Sequence, residues 1–244
     1  MSGFFNRGVT NIEEDIIFQD VRRFSYPVIF DNGYEDFPYS VKGTAFLVSY
    51  NNYNYLVTAS HVIKDIAPEK ILVPYNTFES REFIPFERVI KINDDEKVED
   101  NDFKDIIILK ISTRADFKQK VNLLPKLNLG KKYAYELLPY VHKLFSIGYP
   151  SHNNWINYCE YKIKLQQSLF TGEYVSKAEL QHCHCAKYED EAHLDGMSGS
   201  PVYALTYKGN TINYGFLGIM IRSRVFLDGY VLINALNKLG ADLK

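Results

Sequence analysis

Apolar residues in this chain fall in short blocks rather than in helical stripes. The blocks are GTAFLV at 43–48, YLVT at 55–58, IIILKI at 106–111, LFSIG at 144–148, PVY at 201–203 and GFLGIMI at 215–221. β-Branched and aromatic side chains fill them, with Gly, Pro, Asn or Asp close by, which is the pattern of strands between turns. The polar string YNNYNY at 50–55 reads as the turn of a hairpin joining two such strands. A helical period is clear only in VLINALNKL at 231–239, with Gly240 placed as its C-cap. Many short strands without intervening helices predict an all-β sandwich or barrel. Residues 93–104 (NDDEKVEDNDFK) are dense in charge and read as a solvated loop, and residues 129–140 as a link between two halves.

Composition narrows the classes of function. The chain of 244 residues is long enough to bury a large core without disulfides or a structural metal. Its 28 basic and 30 acidic residues nearly cancel, so it carries no electrostatic footprint for nucleic acid or for an anionic membrane. No uncharged apolar run is long enough to span a bilayer. The first residues, MSGFFNRGVTNIEEDIIF, lack the marks of a signal peptide, and the expectation is a soluble, cytoplasmic protein. Cys159, Cys183 and Cys185 are too few and too clustered for a disulfide framework.

Three strings carry chemistry. Leu56-Val57-Thr58-Ala59-Ser60-His61 is an apolar strand running into a small-residue turn that ends in an imidazole. Asp105 heads the buried strand at 106–111, whereas the nearby Asp102 does not abut it. Asp195-Gly196-Met197-Ser198-Gly199-Ser200-Pro201 sets a glycine-flanked serine before another strand. A serine hydroxyl attacks poorly unless a neighbouring base takes its proton. Histidine can be that base and later return the proton to the leaving amine. A buried carboxylate fixes the imidazole tautomer and stabilises the imidazolium. Glycines beside the serine let the backbone turn tightly, so that the Gly196 and Ser198 amides can form an oxyanion hole.

At these strings the chain resembles the trypsin-like serine peptidases, in particular their disulfide-poor bacterial and HtrA-like branch. The resemblance rests on Thr58-Ala59-Ser60-His61, on Asp105-Ile106, and on Gly196-Met197-Ser198-Gly199-Ser200-Pro201, in the family order His, Asp, Ser. It implies two antiparallel six-stranded β-barrels with the active site between them, followed by the C-terminal helix. Residues 36–128 then form the first barrel with His61 and Asp105. Residues 129–244 form the link, the second barrel with Ser198, and the helix, and residues 1–35 are an unmatched N-terminal arm. The implied activity is cleavage of a protein or peptide substrate through an acyl-enzyme, without a cofactor. Met197 stands where the digestive branch carries an Asp that pairs with a newly cut N-terminus. That departure points away from such activation. It leaves a constitutively formed enzyme, one ordered by an activating protein partner, or a non-catalytic binding module on the same fold.

In this resemblance Ala192 replaces the acid that selects Lys or Arg, while His193 and Arg222 on the facing strand suit an acidic or polar residue instead. Two rival readings fail. An α/β-hydrolase needs a histidine after its serine, and none follows Ser198. A zinc site at His182-Cys183-His184-Cys185 lacks a second pair at ligand spacing, and alternate strand residues face opposite ways.

Overall fold

The computed structural model describes residues 4–8, 14–63, 66–75, 82–91, 105–129, 138, 141–160, 162–208 and 211–241. The charged stretch 93–104, Asp102 and nearly all of the 129–140 link lie outside them. The first half contains β1 (Phe4–Gly8), α1 (Glu14–Arg22), β2 (Ser25–Asp31), β3 (Tyr39–Tyr50) and β4 (Tyr53–Ala59). It continues with β5 (Ile71–Leu72), β6 (Phe86–Lys91), β7 (Ile106–Ile111), α2 (Ala115–Leu123) and β8 (Leu127–Asn128). The second half contains β9 (Lys143–Gly148), β10 (Trp155–Asn157), β11 (Lys162–Lys164), β12 (Ser168–Lys177) and β13 (Cys183–Tyr188). It ends with β14 (Pro201–Lys208), β15 (Thr211–Arg222), β16 (Val225–Asp228) and α3 (Gly229–Ala241).

The second half closes into an antiparallel barrel in the order β15-β14-β9-β12-β13-β16, with β16 returning to β15. The first half forms a curled sheet, β5-β2-β3-β4-β7-β6, with β8 parallel to β3. Its outer strands β5 and β6 do not pair with each other among the described residues. The two sheets meet through a shared core. In β3, Phe46 and Val48 enter that core, while Ala45 and Leu47 fill the interior of the first sheet. In β7, Ile106 and Ile108 face the shared core, and Ile107 and Leu109 face the other way. Both faces of these strands are therefore buried, which is why their sequences read as unbroken apolar runs rather than alternating ones. Phe46 and Phe216 join the sheets with ring centroids 5.5 Å apart. Burial of each such side chain contributes about 1.5–3 kcal/mol.

The hairpin at 50–55 turns at Asn51 and Asn52, both with positive φ (47° and 66°). Asparagine tolerates this conformation, and the resulting turn matches the twist of paired strands. Residues 1–35 divide between the halves: β1 pairs with β15, α1 lies on the second barrel through a Phe18–Phe145 ring contact, and β2 is an interior strand of the first sheet. α3 begins with the Asp228 carboxylate accepting the Tyr230 N–H at 2.8 Å, and it buries Leu232 and Leu236. The helix runs on through Gly240 to Ala241, so Gly240 is not its cap; Ala is the strongest helix former and carries the turn one residue further.

Candidate active site

Strand register brings His61 to Asp105. β4 and β7 are antiparallel with Ala59 opposite Ile106. One step further along that ladder sets Ser60 opposite Asp105, and the Ser60 N–H donates to the Asp105 carbonyl at 3.1 Å. The chain then turns through a short 3-10 helix at Ser60–Val62. In that turn the His61 N–H donates to Asp105 Oδ1 at 2.9 Å, and His61 Nδ1 lies 2.6 Å from Asp105 Oδ2. A carboxylate only accepts, so Nδ1 carries a proton, and in the neutral ring the lone pair lies on Nε2. The Asp105 side chain is 16% exposed and that of His61 45%, so the carboxylate is sheltered while the imidazole opens to solvent.

Ser198 is held from both sheets. Its carbonyl accepts the Thr44 N–H of β3 at 3.1 Å, and the following Gly199 N–H donates to the Met220 carbonyl of β15 at 2.7 Å. Gly199 has φ +87°, and a Cβ there would lie 2.1 Å from the Thr44 carbonyl, 2.4 Å from Thr58 Oγ1 and 3.0 Å from the Ala59 nitrogen. The serine turn therefore presses on the end of β4, two residues before His61. Gly199→Ala is expected to push these strands apart and to add about 1–3 kcal/mol of backbone strain. Chemical denaturation of the variant, reading the shift in midpoint, measures that cost. The Ser198 hydroxyl itself bonds to the Ile221 carbonyl at 3.5 Å, and no hydrogen bond joins it to His61.

Two backbone donors stand open beside the serine. Neither the Gly196 nor the Ser198 N–H has an acceptor among the described residues. The Asp195 carbonyl accepts the Ser151 N–H at 2.7 Å, and the peptide bond is trans. C=O and N–H of one trans peptide point opposite ways, so the Gly196 N–H is turned away from Ser151. Gly196 adopts φ +84°, where only glycine is unstrained, and a Cβ would lie 2.6 Å from the Ser151 nitrogen.

Thr44 and Ser151 were not singled out from the sequence, yet both brace this loop. The buried Thr44 hydroxyl accepts the Tyr149 N–H at 2.8 Å and donates to the Gly196 carbonyl at 3.2 Å. Its signal was a lone hydroxyl inside an apolar run. Thr44→Val withdraws both partners and is expected to destabilise the protein by about 1–3 kcal/mol, read by urea unfolding.

The residues expected to select substrate are less drawn together. Ala192 and His193 are exposed on the 3-10 turn Glu191–His193. His193 Nδ1 is 2.8 Å from Asp190 Oδ1, and its ring lies 4.3 Å from that of His152. Arg222 is exposed at the end of β15, next to the Ile221 that holds Ser198. Arg224, which the sequence reading passed over, pairs with Glu191 beside Ala192. The string 182–185 is scattered: His182 is in a turn, Cys183 is buried, and His184 lies between Tyr174 and Asp228 at 3.4 Å from each. Among the described residues no three His, Cys, Asp or Glu side chains converge as a metal site. Cys159 is exposed, Cys183 is buried and Cys185 is partly buried, and no disulfide joins them. No described helix is long and apolar enough to cross a membrane.

Comparison with known structures fixes the architecture. Vibrio cholerae VesB protease superposes with a TM-score of 0.57 over 89% of this chain, at 15% identity. The fold is that of the chymotrypsin-type serine proteases. The chain spans 64% of the length of VesB. The scabies mite inactivated protease paralogue S-D1 superposes with a TM-score of 0.51 at 12% identity, over 91% of this chain and 94% of its own. No protein-family model matches the chain, and no curated protein sequence does.

Proposed function

We propose that the chain is a serine endopeptidase of the disulfide-poor kind, in which Ser198 attacks the peptide carbonyl, His61 moves the proton and Asp105 orients His61. The observation that carries the reading is the double grip of Asp105 on the ring and the backbone N–H of His61. That grip leaves Nε2 as the free base, at the seam where the Ser198 turn is anchored. The open Gly196 and Ser198 N–H groups suit an oxyanion, and losing one such donor typically costs about 2.7–4 kcal/mol of barrier.

A second reading, a partner-activated or non-catalytic binding module, draws on the Ser198 hydroxyl bonding Ile221 rather than His61. Catalytic hydrogen bonds are often long in the free enzyme and tighten on substrate, so this geometry is compatible with either reading. Labelling the purified protein with a fluorophosphonate separates them. The peptidase reading expects labelling in the wild type that vanishes in Ser198→Ala. A folded wild type that takes no label favours the second.

A further inference from the structure

Four buried hydroxyls among the described residues have no hydrogen-bond partner: Ser25 Oγ and those of Tyr75, Tyr188 and Tyr203. Tyr188 is sealed in the core of the second half and Tyr203 in the core that the two sheets share. Ser25 and Tyr75 instead line one cleft of about 610 Å³ between the sheets, bounded by the end of α1, the start of β2 and the segments after β9 and before β12. The cleft shares no residue with His61, Asp105, Ser198 or the loop at 191–198. Its volume falls in the range of small-molecule sites, roughly 300–1,000 Å³.

The chemistry of the walls selects the ligand. Arg22 and Arg23 stand at the cleft, Arg23 paired with Asp20 at 3.3 Å, and no Asp or Glu lines the cleft itself among the described residues. Gln19 and Gln167 orient the Arg22 guanidinium, at 3.2 and 3.1 Å. Ser25 is only 4% exposed, so its hydroxyl has lost water without gaining a partner. Such a group is destabilising until something accepts from it. Burial, then the nearby Glu82 and Asp116, raise Tyr75 above an ordinary phenol, so it remains a donor. Those two carboxylates are themselves engaged by Lys120 and Arg114. Tyr26 and Tyr149 add aromatic wall beside Tyr75. Cationic and hydroxyl donors against tyrosine faces match a negative group attached to a flat ring.

We propose that this cleft binds a small anion bearing an aromatic ring, with Ser25, Tyr75, Arg22 and Arg23 holding the anionic group. A nucleoside phosphate and an aromatic carboxylate share that chemistry. Calorimetric titration of the full chain with AMP and, separately, with N-acetylphenylalanine distinguishes the sources, with adenosine and inorganic phosphate as controls. One of the two anions is expected to bind at a single site, at least tenfold more tightly than either control. Tyr75→Phe and Ser25→Ala each remove an orphaned hydroxyl with little change of shape. Both are expected to weaken binding roughly tenfold, as loss of a hydrogen bond to a charged group does, while the free protein melts no lower than the wild type. A merely structural role predicts the reverse, lost stability with unchanged binding. Failure of both anions to bind below about 1 mM, or binding that neither variant alters, overturns the proposal. The readout is binding, so it holds or fails independently of peptidase activity.

Discussion

Ser198→Ala is expected to lower kcat for peptide hydrolysis by a factor on the order of 10⁶, and His61→Ala by about the same. The double variant should be no worse than either single one. Nucleophile and base act as a unit: without Nε2 the hydroxyl cannot lose its proton, and without the hydroxyl the base has nothing to activate. Neither change threatens the fold. The serine hydroxyl has one long bond, to the Ile221 carbonyl at 3.5 Å, and the His61 side chain is 45% exposed. Ser198→Ala should therefore unfold at the wild-type midpoint and His61→Ala slightly below it, since Asp105 Oδ2 loses its partner, and their residual rate over water should come from the Gly196 and Ser198 donors. Hydrolysis persisting within tenfold of wild type in either variant sinks the assignment; additive losses in the double variant show two independent functions instead of one triad.

What the sequence disclosed and what it hid follow from range. Strands β3, β4, β7 and β15 were legible because both of their faces are buried, which leaves mostly apolar blocks. The turn at Asn51 and Asn52 was legible from residue type alone. α1 and α2 were not: each has only nine residues, too few to establish a helical period, and α2 buries a single side chain, Val121. Nor does pattern tell an open curled sheet from a closed barrel, since closure depends on how β5 and β6 end. The pairing of His61 with Asp105 was legible because strand register carries it. The bracing of Gly196 by Thr44 and of Asp195 by Ser151 links residues far apart in the chain, and no local pattern encodes it. The residues expected to set selectivity were the least drawn together. β15 and β16 are joined by only Ser223 and Arg224, so the wall beside Ser198 is short, and Ala192 and His193 open to solvent.

Asp105→Asn is expected to cost about 10⁴ in kcat at neutral pH, although it is nearly isosteric. The geometry leaves the new amide one orientation. The His61 N–H already donates to Oδ1, and an NH₂ group placed there could not accept it. The amide oxygen must stay at that position, which turns the NH₂ toward Nδ1, 2.6 Å away in the wild type. Nδ1 then has to accept, the ring proton moves to Nε2, and the nitrogen facing Ser198 ceases to be a base. The loss is one of tautomer and not of position, so KM should change far less than kcat, and the fluorophosphonate should label Ser198 slowly but still at that residue. Asp102→Asn, the control for the neighbouring acid, should keep wild-type activity. The expected NMR signature is a ring N–H proton that shifts from Nδ1 to Nε2. A loss below tenfold with that signature absent would mean that Asp105 braces the turn at 60–62 through its backbone contacts alone, and that another group orients His61.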